Sequence, residues 1–273
     1  MRIAPASVLV LALVGAGCGS KSAAPGTTAA PDTTTLARPT TTVTTPPETP
    51  SGAMIDLYFL RDGKIAAVGR PRPATAAVAR AAIEALLEGP TDGERRLGFS
   101  TAVEASNGVE RLAVSNGVAT LDTATPLRPG AELAQIVYTL TQFPTVRRVS
   151  VVLETNDSIE SSRADFEKLT PPILVEAPTP GAVVTSPVRV SGTANTFEAT
   201  LFLDLVKDSR KLVSQQLVTA TSGSGTRGTF AATIRYAVDV SAPATLVAYE
   251  IDADSGKRTH VVTLPLTLEP ASG

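Results

Sequence analysis

The chain has 273 residues, with 24 Lys and Arg against 26 Asp and Glu, a formal net charge of −2. That balance leaves no basic footprint for nucleic acid or for an anionic lipid surface. A single cysteine, Cys18, excludes an intramolecular disulfide, and together with the lone histidine, His260, it falls short of the three or four ligands of a zinc site.

The first residues read as a leader. Arg2 supplies a positive start, Ile3 to Val14 is apolar or small apart from Pro5 and Ser7, and Gly15-Ala16-Gly17 are all small. The run is too short for a comfortable membrane span and has the layout of a secretory signal peptide. With Cys18 directly after the small residues, the segment resembles the lipobox of bacterial lipoproteins, although Gly15 stands where that motif usually carries Leu. The resemblance implies cleavage between Gly17 and Cys18, diacylation of the Cys18 thiol and a membrane partner reached through that lipid. A plain secreted protein cut nearby is the alternative. A catalytic thiol needs a base beside it, and nothing around Cys18 suggests a fold that would hold one. Residues 1–17 are therefore expected as signal peptide. Residues 18–52 are expected as a lipidated, disordered stalk, because TTAAPDTTTLARPTTTVTTPPETPSG has almost nothing large and apolar to offset the entropy of ordering it. Pro keeps such a stalk extended; its Ser/Thr-Pro composition suits O-linked sugar or an unmodified tether equally.

After the stalk about 220 residues remain, enough for two ordinary domains, and no second hydrophobic run is long enough to cross a bilayer. The first domain is expected over 53–156. Ile55, Leu57 and Phe59 alternate as in a strand, and Asp62-Gly63 turns the chain into a second strand through Ile65–Val68. Ala79, Ile83, Leu86 and Leu87 fall at helical spacing, with Thr75 as a plausible N-cap and Gly89-Pro90 as the stop. Asn116-Gly117 predicts a hairpin between strands near 109–115 and 118–122. A second helix carries Leu133, Ile136, Val137 and Leu140 on one face and ends at Pro144; 147–154 forms a closing strand. Two helices and about five strands predict an α/β (α+β) layer, with the helices covering one face of a mixed sheet.

Tyr58-Phe59, the helix ending Ala85-Leu86-Leu87-Glu88-Gly89-Pro90, the hairpin Asn116 to Asp122 and the stretch Ile136 to Phe143-Pro144 together resemble the GerMN domain of sporulation and spore-germination proteins. That domain also occurs in envelope lipoproteins of bacteria that form no spores. The family usually closes its last strand with a glycine, where this chain has Glu154-Thr155-Asn156.

Residues 157–172 are polar and are expected as a linker or short helix. Over 173–270 helical periodicity stops. ILVEA, VRVSGTA, ATLFLDLV, KLVSQQLVTA, GTFAATIRY, ATLVAYEIDA and HVVTLPLTLE give seven short strand-like runs, which predict an all-β sandwich of immunoglobulin type without the cysteine pair and tryptophan of antibody domains. Leu201, Leu203 and Leu205 fall on one face, Phe202 and Asp204 on the other. Val190-Ser191-Gly192-Thr193-Ala194, Phe197-Glu198-Ala199, Gly228-Thr229-Phe230, Tyr249-Glu250 and Leu264-Pro265-Leu266 resemble the immunoglobulin-like domain of bacterial spore germination. That domain often follows a GerMN domain in envelope lipoproteins.

Chemistry is sparse. His260 follows Lys257-Arg258-Thr259 and reads as a surface histidine, and no GxSxG motif or phosphate-cradling glycine loop appears. Glu198 and Glu250 would make a carboxylate pair only if the sandwich brought them together. Asp252-Ala253-Asp254-Ser255-Gly256 has the flavour of a calcium loop but lacks the downstream Glu, and a hairpin turn accounts for it. Asn156-Asp157-Ser158 is formally a glycosylation sequon. With no Trp and four Tyr, a stacking platform for sugars is poorly provided. No catalytic residue, cofactor or metal is expected. The resemblances imply a lipid-anchored protein on the extracytoplasmic face of the cell membrane. Its role would be non-enzymatic interaction or scaffolding, with envelope proteins or peptidoglycan as partners and no nucleic acid. Two alternatives remain. One is a binding protein for peptidoglycan, another glycan or a small ligand, serving an envelope enzyme or transporter through a polar pocket at the domain junction. The other is a wall hydrolase using Glu198, Glu250 or His260 in one cleft.

Overall fold

The computed structural model describes residues 53–72, 75 and 77–271. Cys18, the expected signal peptide and the expected stalk lie outside them. Strands β1 (Ala53–Arg61) and β2 (Lys64–Arg72) form an antiparallel hairpin around Asp62-Gly63, both at positive φ, as a tight hairpin turn requires. Ile55, Leu57 and Phe59 are buried as their alternation predicts, but so is Tyr58 on the opposite face.

Helix α1 (Val78–Leu87) buries Ala82, Ile83, Ala85 and Leu86. Its N-cap position is Ala77 rather than Thr75, whose hydroxyl accepts from the Ala77 N–H at 3.2 Å. Gly89, at φ 75°, ends it. A short helix α2 (Asp92–Arg96), which the hydrophobic period does not reveal, is set by a capping box: the Thr91 side chain accepts from Glu94 N, and the Glu94 carboxylate accepts from Thr91 N. Strand β3 (Phe99–Ser100) returns to pair with the end of β1. Strands β4 (Val109–Ser115) and β5 (Val118–Thr123) flank Asn116-Gly117 as expected, with φ of 52° and 84°. Helix α3 (Ala131–Leu140) then crosses over to β6 (Arg148–Val152), parallel to β5, and β7 (Ser158–Ser161) pairs antiparallel with β6.

The fold class is the one read from the sequence, but two details differ. The strands form two sheets, β2-β1-β3 and β4-β5-β6-β7, and α3 is enclosed among β1, α1, β6 and a 3-10 helix at Arg163–Leu169. Enclosure explains why every residue from Glu132 to Leu140 is buried, which a helix lying on one sheet face would not achieve. The 157–172 segment, expected as a linker or short helix, supplies both β7 and that 3-10 helix. Phe166 is buried in the α/β core and Leu169 packs against it. At the end of the Glu154-Thr155-Asn156 stretch, Asn156 takes the left-handed conformation at φ 63° and its N–H donates to Leu153 O at 2.8 Å.

Strand β1 explains the polar residues of α3. It pairs with β2 along its length but with β3 only at Leu60 and Arg61, so its other edge has no strand near Asp56 and Tyr58. Gln135 and Thr139, one turn apart on the same face of α3, and Gln142 in the turn just past its C-terminus take the place of that strand. Gln142 accepts from Asp56 N at 2.8 Å and donates to Asp56 O at 2.5 Å. Thr139 Oγ1 accepts from Tyr58 N at 3.2 Å, and Gln135 Nε2 donates to Tyr58 O at 3.1 Å.

Beyond Pro172 each of the seven expected runs becomes a strand: β8 (Ile173–Ala177), β10 (Val188–Ala194), β11 (Thr200–Lys207), β12 (Arg210–Thr219), β13 (Gly228–Ile234), β14 (Ala242–Ile251) and β15 (Arg258–Glu269). An eighth, β9 (Val183–Thr185), lies parallel to β15 and is too short to show a period. The sandwich is β13-β10-β8 against β12-β11-β14-β15-β9. Leu201, Leu203 and Leu205 enter its core. Gly192 sits at a bulge against β8, where a Cβ would lie 2.0 Å from Leu174 O, so no larger residue fits.

Asp204, on the other face of β11, is fully buried. Burial alone would raise its pKa, but the Gln215 N–H at 2.6 Å, Lys211 at 2.8 Å and Arg258 at 2.8 Å outweigh that and hold it at about 2. Arg258 also lies 3.8 Å from the Tyr249 ring centroid.

Replacing Gln135 with Leu strands Tyr58 O and Ala102 N without their partner, and urea unfolding is expected to record a loss of about 2 kcal/mol. Asp204→Ala leaves two cations facing a void. Its expected loss in the same measurement is about 3 kcal/mol, and the wild-type contribution fades as pH falls below about 4 toward 2.

Candidate functional site at the junction of the two domains

The α/β domain and the sandwich pack within one compact unit. Arg163, at the start of the 3-10 helix, lies between them. Its guanidinium sits 5.0 Å from the Tyr58 ring centroid and 4.7 Å from that of Tyr138, two rings that are themselves 5.3 Å apart. Its Nε donates to Thr141 Oγ1 at 2.8 Å, Nη2 donates to Tyr58 OH and Tyr138 O, and Nη1 pairs with Glu176 of β8 at 2.6 Å. The Tyr58 hydroxyl donates to the same Glu176 oxygen. One cation thus ties β1, α3 and the first strand of the sandwich together, through contacts strengthened by partial burial. A second tie lies nearby: Glu167 accepts from Arg227 at 2.8 Å and from Asn195 at 2.8 Å.

Asp56 stands beside this cluster. Burial, and then the Glu176 carboxylate, push its pKa up to about 6 against the opposing pull of Arg163.

A cavity of about 200 Å³ opens at the same junction, away from the Arg163 cluster. Its floor is apolar, with Ile65, Phe99, Leu174 and Leu264 all buried, and Arg61 and Lys64 stand at its edge on either side of the Asp62-Gly63 turn. Arg61 Nη1 donates to Thr263 O at 2.9 Å, with the guanidinium 5.8 Å from the Phe99 ring centroid; Lys64 Nζ donates to Lys168 O at 2.6 Å. A junction pocket was expected to be polar. The one found is apolar with a cationic edge, because β2 and β8 present their core-side residues to it.

The residues singled out by sequence are only partly brought together. Glu250 Oε2 lies 2.8 Å from His260 Nδ1, so His260 is half exposed but paired, and Glu250 Oε1 accepts from Phe197 N at 2.7 Å. Glu198 is exposed, and its backbone N–H goes to Ser224 Oγ. Glu250 thus joins His260 and the segment beside Glu198, and the five cavities found among the described residues are lined by other residues. The Asp252–Gly256 loop is a hairpin turn in which Asp252 accepts from Ser255 N at 2.8 Å. Among the described residues no cluster of three or more metal-ligating side chains occurs, and no helix is long and apolar enough to cross a membrane. Sequence reasoning missed Arg163, Glu176, Arg61 and Lys64. The Thr141-Gln142 pair was visible, but its task was not.

Comparison with known proteins agrees with the two motif resemblances. Residues 56–156 match the family model described as sporulation and spore germination, and residues 172–257 match that of the immunoglobulin-like domain of bacterial spore germination. The chain therefore carries a GerMN domain of the first family followed by an immunoglobulin-like domain of the second. No curated protein matches. Among solved structures it is similar to the tandem GerMN domains of the sporulation protein GerM from Bacillus subtilis, at 15% identity and a TM-score of 0.33. That alignment covers 81% of this chain and 62% of the other, so the chain spans less than two thirds of the protein it matches, and at this distance the likeness transfers no role.

The Asp56 carboxyl gives a pH signature. A group whose folded pKa lies above its unfolded value leaves stability intact below about 4 and erodes it as pH rises toward 6. Urea unfolding between pH 4 and 7 is expected to show a decline on the order of 2 kcal/mol in wild type that Asp56→Asn abolishes, the variant being the more stable protein at pH 7.

Proposed function

We propose that this protein is an envelope lipoprotein held by an acylated Cys18 on the extracytoplasmic face of the membrane, with a non-enzymatic role in interaction or scaffolding. The observation that carries this reading is the tandem of two germination-family domains behind a lipobox-like leader. The Arg163 contacts support it, because they join the two domains into one body suited to presenting a fixed surface rather than to opening around a substrate. Two acyl chains hold a protein on a bilayer where one would let go. The partners proposed are envelope proteins or peptidoglycan. Spore formation is not part of the proposal, since the family descriptions say where relatives were found.

A second reading, binding of a small ligand at the domain junction, is favoured by the cavity beside Arg61 and Lys64.

Fractionation of cells producing wild type and Cys18→Ser tests the anchor. Wild type is expected with the membrane and the variant in the soluble extracytoplasmic fraction; equal distribution of the two removes the anchor. Co-sedimentation of the same chain with purified peptidoglycan tests the wall. Pelleting supports wall contact, while a chain left in the supernatant sinks it and directs attention to protein partners trapped by cross-linking in intact cells.

A further inference from the structure

We propose that the junction cavity binds an aliphatic carboxylate, the chemistry of a peptide C-terminus ending in a small apolar residue or of a short free acid. This rests on the junction-binding reading above and names its ligand class. Three features lead there.

The first is charge. Among the described residues neither Arg61 nor Lys64 has a carboxylate partner; each is held only by a backbone carbonyl, Thr263 O and Lys168 O respectively. Most arginines of the described residues are engaged in ion pairs, with Glu94, Glu84, Asp122, Glu132, Glu176 or Asp204 among their acceptors. Arg61 and Lys64 lack such a partner, and they stand together at one cavity edge. Asp62, exposed at the turn between them, offsets one charge and makes no ion pair with either, so the edge stays net positive.

The second is geometry. The bond from Arg61 Nη1 to Thr263 O and the Phe99 ring 5.8 Å from the guanidinium hold it at the cavity edge while leaving its remaining N–H groups without a protein acceptor among the described residues. A fixed guanidinium fork matches the two oxygens of a carboxylate, and the Lys64 ammonium adds a second, point-like donor. The tight Asp62-Gly63 turn holds the two residues at a set separation.

The third is size and polarity. A volume of about 200 Å³ is below the range of roughly 300–1,000 Å³ typical of cofactor and drug-sized sites, and its buried floor is hydrocarbon and aromatic. That space is too small for a nucleotide, and its hydrocarbon floor suits an aliphatic group better than the hydroxyls of a sugar ring. An anion at the edge and a methyl-bearing group below it satisfy both parts of the site.

Methyl-resolved NMR of the full chain provides the test, with three probes: N-acetylvaline for a peptide end, isovalerate for a free acid, and N-acetylvaline methylamide as the neutral control. Either acid is expected to move the methyl signals of Ile65, Leu174 and Leu264 while leaving those of Leu201 and Leu203 in place. The methylamide is expected to bind at least tenfold more weakly. Arg61→Gln and Lys64→Gln are each expected to weaken the acid at least fivefold, with unchanged methyl spectra in the free state showing that the fold is kept. The tighter acid identifies the source. Equal binding of acid and methylamide overturns the carboxylate assignment while leaving junction binding intact, and no shift with any probe at millimolar concentration overturns both.

Discussion

The edge of β1 is the constraint on which the α/β domain depends. A strand inside a core has to bond its amides on both sides, and β1 has a full partner on only one. Another strand would have solved this by widening the sheet. Here a helix solves it with side-chain amides and a hydroxyl, which places α3 inside the domain instead of on its surface. From that placement the rest follows. A helix enclosed on all sides needs a second sheet beyond it and a cover at its C-terminal end. The sheet β4-β5-β6-β7 provides the first, and the 3-10 helix at Arg163–Leu169 provides the second.

The same cover makes the two domains a single body. Residues 158–169 complete the α/β core, so the sandwich begins only a few residues later, and β8 is drawn against β2. Arg163 then finds Tyr58 and Tyr138 below it and Glu176 beside it. The bond from Arg163 to Thr141, the pair of Arg163 with Glu176 and the tie between Glu167 and Arg227 place polar groups on both sides of the interface. An apolar interface alone would tolerate sliding; this one fixes register, because each directional bond lapses after a displacement of about an ångström. The junction cavity is a by-product of that fixed register, and its shape is as rigid as the elements that frame it.

How much of this was legible in the sequence depended on whether the information was local. The hairpins at Asp62-Gly63 and Asn116-Gly117, both helices and all seven longer sandwich strands follow from turn chemistry and periodicity within about ten residues. Helix α2 was legible too, since Thr91 and Glu94 spell its capping box, but its five residues carry no hydrophobic period to draw the eye. Gln135 and Thr139 stand in the sequence as polar residues within an apolar helix, and Gln142 just past its end. Their meaning depended on a strand some eighty residues away in the chain, which no local pattern records. The pairing of Arg163 with Glu176, the burial of Asp204 and the cationic cavity edge are likewise products of packing. Asp204 sat on what the alternation marked as the outer face, and only the closing-over of Lys211, Tyr249 and Arg258 buries it.

The motif residues that identify the two domains turn out to be occupied with structure. Gln142 finishes β1, Thr141 positions Arg163, Gly192 lets β8 approach, and the Phe197 N–H and His260 share Glu250. A residue already engaged in this way has little freedom to recognise a partner, because any new bond it makes has to break one it holds. On the proposed reading, recognition falls to side chains that the fold positions but does not consume. Arg61 and Lys64 are of that kind, fixed by backbone bonds and a tight turn yet with donor capacity to spare. The residues that mark the two domains and the residues with donors to spare at the junction edge are therefore different ones. The two domain folds account for the scaffold, and the spare donor capacity gathers at the junction edge.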